Sequence, residues 1–324
     1  MIDPLSLEEA EALFGRMLDG VMDDAAVTRT LVALTDRGET AAEIAGAARA
    51  MRARMIRVSA PVEAIDVCGT GGDGHHTLNV STAVAIVVAA CGVPVAKHGN
   101  RAASSKAGAA DTLEALGLDL DGAARTAEAT LGSIGIGFLF AAAYHPALAR
   151  IMPIRRAIGR RTIFNLLGPL ANPAGVTRQL IGIARPAYVP IYAAALAQLG
   201  TDHALIVSGD EGLDELSVAG GNEVATVRDA AVLMARLLPG DVGLPTAPVS
   251  AIRGGDAAHN ADALRALLDG TPGPYRDAVL LNAAGALIVS EASADWQSGA
   301  ARAAEAIDSG AARALLRDWI AAAR

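Results

Sequence analysis

Aromatic side chains are scarce in this chain. Two Trp, four Tyr and four Phe make up 3% of 324 residues, although 52% of the sequence is apolar. Ala, Val, Leu and Gly therefore supply the bulk, which points to closely packed helices around a sheet. Cysteine is nearly absent: Cys68 and Cys91 form neither a disulfide framework nor a CxxC pair, which fits a reducing compartment. Positive charge is not in excess, and the formal net charge of −8 argues against a protein that mainly grips nucleic acid. An anionic substrate must then find local positive charge or a bridging metal. No apolar run is long enough to span a bilayer, since the longest, Ala83 to Ala96, is broken by Gly92 and Pro94. The acidic start MIDPLSLEEAEALF lacks the regions of a secretory signal, and the expectation is a cytoplasmic protein. Internal repeats and low-complexity linkers are also missing, and the length suits one large domain with a smaller one.

The first sixty residues read as helices. Ser6 with Glu9 makes a capping box, a second helix runs through DDAAVTRTLVALTDRG to Gly38, and Thr40 caps a third. After Pro61 the character changes. AIDVC (Ala64 to Cys68) reads as a strand before a glycine-rich loop, Ser81 to Cys91 as a buried helix, and VPVA (Val93 to Ala96) as a strand. KHGNRAAS follows as a loop, and Lys106 to Leu116 as a helix. This is the βαβ order of an α/β domain, with loops at the carboxyl ends of strands. HALIV (His203 to Val207) and EVATV (Glu223 to Val227) are further strands, and alanine-rich helices fill the C-terminal third.

Gly69-Thr-Gly-Gly-Asp-Gly74 matches GxGxxG in form only. HHTLN separates it from the helix, no acidic residue occurs between Gly74 and Ala110, and no GK[ST] closes a P-loop. What remains is a flexible backbone whose N–H groups can approach an anion, followed by Asn79, Ser81 and Thr82 where a helix starts. Helix capping explains one such residue but not the six-residue loop before them. Lys97-His-Gly-Asn-Arg101, Ser104, Ser105 and Lys106 gather three cations and several hydroxyls at a strand end, suited to neutralising a diphosphate. Taken singly, Arg101, Lys106 and His98 read as surface or structural residues; their clustering favours a site. Asp214-Glu215 in SGDEGLDELSV offers oxygen ligands of the kind magnesium uses beside substrate phosphates, with Asp210 and Glu211 as rivals. No convincing Ser–His–Asp or Cys–His set appears, so no covalent nucleophile is expected.

Together DVCGTGGDGHHTLNVST, VAKHGNRAASSKAGAADTLEALG, RRTIFNLLGPLANPA and DELS resemble the successive signature blocks of anthranilate phosphoribosyltransferases, from about residue 65 to 220. The resemblance implies an α/β fold of the nucleoside phosphorylase/phosphoribosyltransferase kind. A small helical domain (1–62, joined by a later helical segment near 150–176) would precede a larger α/β domain (63–324) whose central sheet is flanked by helices. It implies transfer of a phosphoribosyl group from phosphoribosyl pyrophosphate to the amine of anthranilate in tryptophan biosynthesis, with Mg2+, two ions by expectation, and a homodimer through the helical domain. Phosphoribosyl pyrophosphate would contact Gly69, Gly72, Asp73, Thr77, Asn79, Val80, Ser81, Thr82, the run Lys97, His98, Gly99, Asn100, Arg101, Ala102, Ala103, Ser104 and Ser105, and Ala109. Anthranilate would meet Gly69, Asn100 and Arg155. Ser81, Asp214 and Glu215 would hold the metal; His75 and His76 read as loop filler. The alternatives are a pyrimidine-nucleoside phosphorylase of the same architecture, and a non-catalytic relative that binds nucleic acid or a phosphorylated ligand.

Overall fold

The computed structural model describes residues 3–102 and 106–324. Three helices open the chain: α1 (Leu7–Leu18), α2 (Asp24–Arg37) and α3 (Ala41–Arg52). The expected capping box of Ser6 with Glu9 forms, and Thr40 caps α3 in a second box with Glu43, so orphan N–H groups at these helix starts are met by side chains. The α1 and α3 backbones approach so closely that a Cβ on Gly46 would lie 2.4 Å from the Leu7 carbonyl oxygen.

The α/β part follows the order β1 (Ile65–Gly69), α4 (Val80–Ala90), β2 (Val95–Gly99), α5 (Ala109–Leu116), α6 (Leu120–Ser133) and β3 (Ile136–Phe140). Next come α7 (Ala141–Tyr144) and α8 (Leu148–Ile158), which packs on α1 and α2, so a later segment joins the opening helices. The chain then re-enters the sheet through β4 (Arg178–Gly182), α9 (Val189–Gln198), β5 (His203–Gly209), β6 (Asn222–Arg228) and β7 (Ala231–Leu237). Helices α10 (Ala257–Leu268), α11 (Pro274–Val289), α12 (Trp296–Asp308) and α13 (Ala311–Ala322) complete it.

The seven strands lie in the order β3-β2-β1-β4-β5-β6-β7. The first five are parallel, and β6 and β7 extend the sheet as an antiparallel hairpin. Alternate residues face opposite cores: Leu180, Leu205 and Val207 pack with α4 and the C-terminal helices, while Ile181, Ala204 and Ile206 pack with the helical unit and α9. From β1 the chain winds one way to β2 and β3, and from β4 the other way to β5. A crevice therefore opens at the carboxyl ends of β1 and β4, where ligands of open α/β sheets bind.

The largest differences from the sequence reading lie around the second strand and the helix after it. The second strand begins at Val95, because Pro94 has no N–H and serves only through its carbonyl, which accepts from the Ile65 N–H at 2.9 Å. It then continues through Lys97, His98 and Gly99, which are strand residues and not loop, with the first two side chains buried. The following helix starts at Ala109, not Lys106, because the Asp111 carboxylate accepts the N–H groups of both Gly108 and Ala102 and fixes the turn there.

Candidate active site

A cavity of about 310 Å3 occupies the crevice, lined by Gly69–Asp73, His76–Ser81, Lys97–Ala102, Ala107–Ala109, Asp214 and Glu215. The glycine loop, the strand end and the acidic pair, far apart in sequence, thus share one wall. Ala103, Ser104 and Ser105 lie outside the described residues.

The acidic pair is held by close packing. Asp214 crosses the ends of β1 and β4, where a Cβ on Gly69 would stand 2.2 Å from Asp214 Oδ2, and one on Gly182 only 1.6 Å from the Asp214 carbonyl oxygen. Only glycine admits this approach. The Gly71 N–H donates to Asp214 Oδ2 at 2.6 Å, and the Ser81 N–H donates to Glu215 Oε1 at 3.2 Å. Both carboxylates line the cavity and are half-buried. Burial pushes both protonation equilibria upward, and like charge adds to it: Asp73 acts on Asp214, and Asp214 on Glu215. Neither carboxylate makes an ion pair among the described residues. Lys97, buried on β2, lowers Glu215 at a distance while its Nζ donates to the Val67 carbonyl at 2.8 Å. The rivals are engaged elsewhere: Asp210 takes Arg236 at 2.6 Å, and Glu211 accepts from the Ser217 hydroxyl.

Asn79 precedes α4 but makes no side-chain cap. Its Oδ1 accepts from Thr112 Oγ1 at 2.6 Å and from Asn260 Nδ2 at 2.9 Å, and its carbonyl accepts from the Tyr275 hydroxyl. Thr77 forms a bridge to Arg253, Val80 is buried, and the buried Thr82 Oγ1 has no partner among the described residues. Asp73 Oδ1 accepts from the His75 N–H, which shapes the loop whose Gly71, Gly72 and Gly74 have positive φ. The Gly99 backbone passes against Phe138 and Ala109, too tightly for a Cβ.

His98 does not face the cavity as a free acid–base group. Its Nδ1 lies 3.0 Å from the Gly168 carbonyl and its Nε2 3.3 Å from His145 Nε2, while burial and that neighbour hold its pKa down at about 3. Asn100 Oδ1 accepts from the Arg101 N–H. Arg101 turns to Asp111 and Glu114 at 2.9 and 2.8 Å, so its charge is shared with acids on α5. Arg155 is not on the cavity wall. It extends from α8 over the Phe164 ring, 5.7 Å from its centroid, and Arg156 beside it is exposed.

Some structural partners lie inside the quoted motifs but are not singled out by the sequence. Gly71 supplies the shortest bond to Asp214. Asn172, in the ANP of the third block, donates to the buried Asp66 and to the Ala96 carbonyl, both at 2.8 Å, and so braces β1 against β2. Among the described residues no group of three or more His, Cys, Asp or Glu is placed to hold a metal, so a closed site made of protein ligands alone is not formed. Two adjacent half-buried carboxylates on the cavity wall, beside a glycine loop, instead suit a hard divalent ion that completes its shell with water and phosphate oxygen.

The family profile described as glycosyl transferase family, a/b domain, matches residues 62–313, and the helical bundle domain of the same family matches residues 3–55. The chain is 72% identical to the anthranilate phosphoribosyltransferase of Novosphingobium aromaticivorans over 319 residues, covering 98% of this chain and 97% of the relative. The crystal structure of the Thermus thermophilus enzyme of that name superposes with a TM-score of 0.94 at 41% identity, covering 99% and 97% of the two chains. The Saccharomyces cerevisiae enzyme in complex with PRPP and Mg superposes with a TM-score of 0.87 at 30% identity, covering 98% and 92%. Identity at this level over nearly the whole length leaves the phosphorylase and non-catalytic alternatives without support. The chain belongs to the anthranilate phosphoribosyltransferase family.

Proposed function

We propose that this chain transfers phosphoribosyl from phosphoribosyl pyrophosphate to anthranilate through the cavity between the glycine loop and Asp214-Glu215. The observation that carries this is the convergence of the glycine loop, the cationic strand end and the half-buried Asp214-Glu215 pair on one cavity at the β1–β4 crevice. The anthranilate nitrogen forms a bond to the ribose anomeric carbon. The carbon–oxygen bond to pyrophosphate breaks with its electron pair, and the amine loses a proton. An aromatic amine attacks without prior deprotonation, so the demand on the protein is to hold the diphosphate and steady the departing charge. N–H groups of the Gly72–Gly74 stretch would bind phosphate oxygens, those of Thr70 and Gly71 being given to Gly182 and Asp214, and Asn79 is locked in place by Thr112 and Asn260. Asp214, Glu215 and Ser81 would hold magnesium, which would supply positive charge to offset the charge developing on the departing diphosphate. Arg155, which lies on α8 over the Phe164 ring and off the cavity wall, would turn toward the anthranilate carboxylate. Mg2+ in two copies, a homodimer through the helical unit and a cytoplasmic setting complete the reading; the yeast complex with PRPP and Mg supports the metal. No helix among the described residues is long and apolar enough to cross a membrane.

Titration calorimetry of phosphoribosyl pyrophosphate tests the site. Binding should need Mg2+ and weaken strongly in Asp214→Asn with Glu215→Gln. Equal affinity with chelator, or in the double variant, would remove the metal assignment.

A further inference from the structure

Arg161 belongs to the RRTIFNLLGPLANPA block, and the site described above has no use for it. Its Nη1 lies 4.0 Å from where a Cβ on Gly72 would stand, so the guanidinium sits beside the glycine loop. It is partly buried, yet it forms no ion pair or hydrogen bond among the described residues. Its neighbour Arg160, by contrast, is paired with Asp36 at 2.7 Å. Arg185, just beyond β4, is likewise without an ion pair there and rests 6.0 Å from the Tyr188 ring centroid. The Tyr188 hydroxyl is already given to Glu39 at 2.6 Å. Burial, and then the charge of Arg185, hold the Arg161 pKa below its ordinary value, with Asp214 and Glu39 pulling the other way from beyond ion-pair distance. A partly desolvated guanidinium keeps five donors and no acceptor, and leaving it unpaired beside a second cation is costly unless an anion arrives. The small cavity that Arg161 and Arg185 share with Thr35, Glu39 and Tyr188 joins the helical unit to the carboxyl end of β4.

We infer that Arg161, supported by Arg185, is a substrate-binding residue that grips the diphosphate of phosphoribosyl pyrophosphate, and then the released pyrophosphate, against Gly72. This rests on the functional reading above. Loop N–H groups and the metal would meet the phosphates from the Asp214-Glu215 side, and the planar fork of Arg161 would add a bidentate contact that Lys cannot reproduce.

The test is calorimetric binding of inorganic pyrophosphate with Mg2+ to the whole protein. Arg161→Gln should weaken it about 10- to 100-fold, as expected for lost charged hydrogen bonds, and raise KM for phosphoribosyl pyrophosphate in step, leaving KM for anthranilate unmoved. Arg161→Lys should recover only part of the affinity, the exposed Arg185→Gln should weaken it severalfold, and Arg160→Gln should not change it. Wild-type affinity in a folded Arg161→Gln overturns the inference. If that variant does not fold, Arg161→Lys decides, and wild-type affinity there overturns it equally. Failure of the wild type to bind pyrophosphate with Mg2+ would instead sink the underlying functional reading, and the inference with it.

Discussion

Replacing Gly182 by Ala would test whether the acidic pair depends on backbone contact. The added Cβ would stand 1.6 Å from the Asp214 carbonyl oxygen, 2.3 Å from its carbon and 3.0 Å from the Glu215 nitrogen. Ordinary contact begins near 3.4 Å, so the Asp214-Glu215 segment must retreat by about 2 Å or β4 must shift by as much. Neither element yields easily: β4 is paired on both sides, and the Leu216 N–H and carbonyl after the pair are held by the Asn282 side chain at 2.9 and 2.8 Å. Overpacking of this kind costs about 1–3 kcal/mol of stability. A 1 Å misplacement of positioned groups can cost about 10²-fold in rate. Gly182→Ala should therefore remain folded with a thermal midpoint a few degrees lower, lose turnover by about two orders of magnitude, and need more magnesium for half-maximal rate. Gly132→Ala is the control: nothing lies within 4 Å of its Cβ position and it sits in helix α6, so it should match or exceed wild-type stability with unchanged turnover. Near-normal turnover and magnesium dependence in Gly182→Ala would refute the claim that packing fixes the pair.

Asp214→Asn with Glu215→Gln keeps oxygen acceptors for the Gly71 and Ser81 N–H groups while removing two buried like charges. Its thermal midpoint in chelator should be no lower than wild type although turnover falls by about 10²–10³-fold; a clear drop in midpoint would mean the carboxylates stabilise the fold. Arg155→Ala should raise KM for anthranilate about tenfold and leave that for phosphoribosyl pyrophosphate near normal, whereas equal effects would mean its role is misread. The depressed pKa of His98 has a definite sign. Below about 6.5 the unfolded chain takes up a proton that the folded one refuses until about 3, so acidification in that window removes stability. For this one group the slope is at most about 1.4 kcal/mol per pH unit. Urea unfolding at pH 7, 6 and 5 should show a shallower slope in His98→Gln, and identical slopes would contradict it.

Local signals in the sequence were read well where one residue acts on its neighbours. Ser6, Thr40 and Gly38 mark helix ends because capping is a short-range bond. Strands were harder. The β6–β7 hairpin turns on Asp229-Ala230, both with positive φ, where the usual cue would be Asn-Gly or Asp-Gly. β7 also exposes its first six residues, so no inside–outside alternation announces it. β3 and β4 are five-residue strands that short apolar runs do not distinguish from buried helix. At the site, the glycine loop, the cationic strand end and the acidic pair were legible as residue types, and the structure gathers them in one cavity. It also turns His98 and Arg101 toward other partners, because burial and nearby acids outbid the cavity for their ring nitrogens and guanidinium. The contacts of Gly182, Asn172 and Arg161 depend on residues far away in sequence and leave no local pattern.

The most direct measurement follows anthranilate fluorescence with protein, phosphoribosyl pyrophosphate and Mg2+, with chelator and no-cosubstrate controls. Loss of signal confined to the complete mixture, with one pyrophosphate released per anthranilate consumed, is the predicted result. An unchanged signal from folded protein in the complete mixture would contradict the proposed reaction.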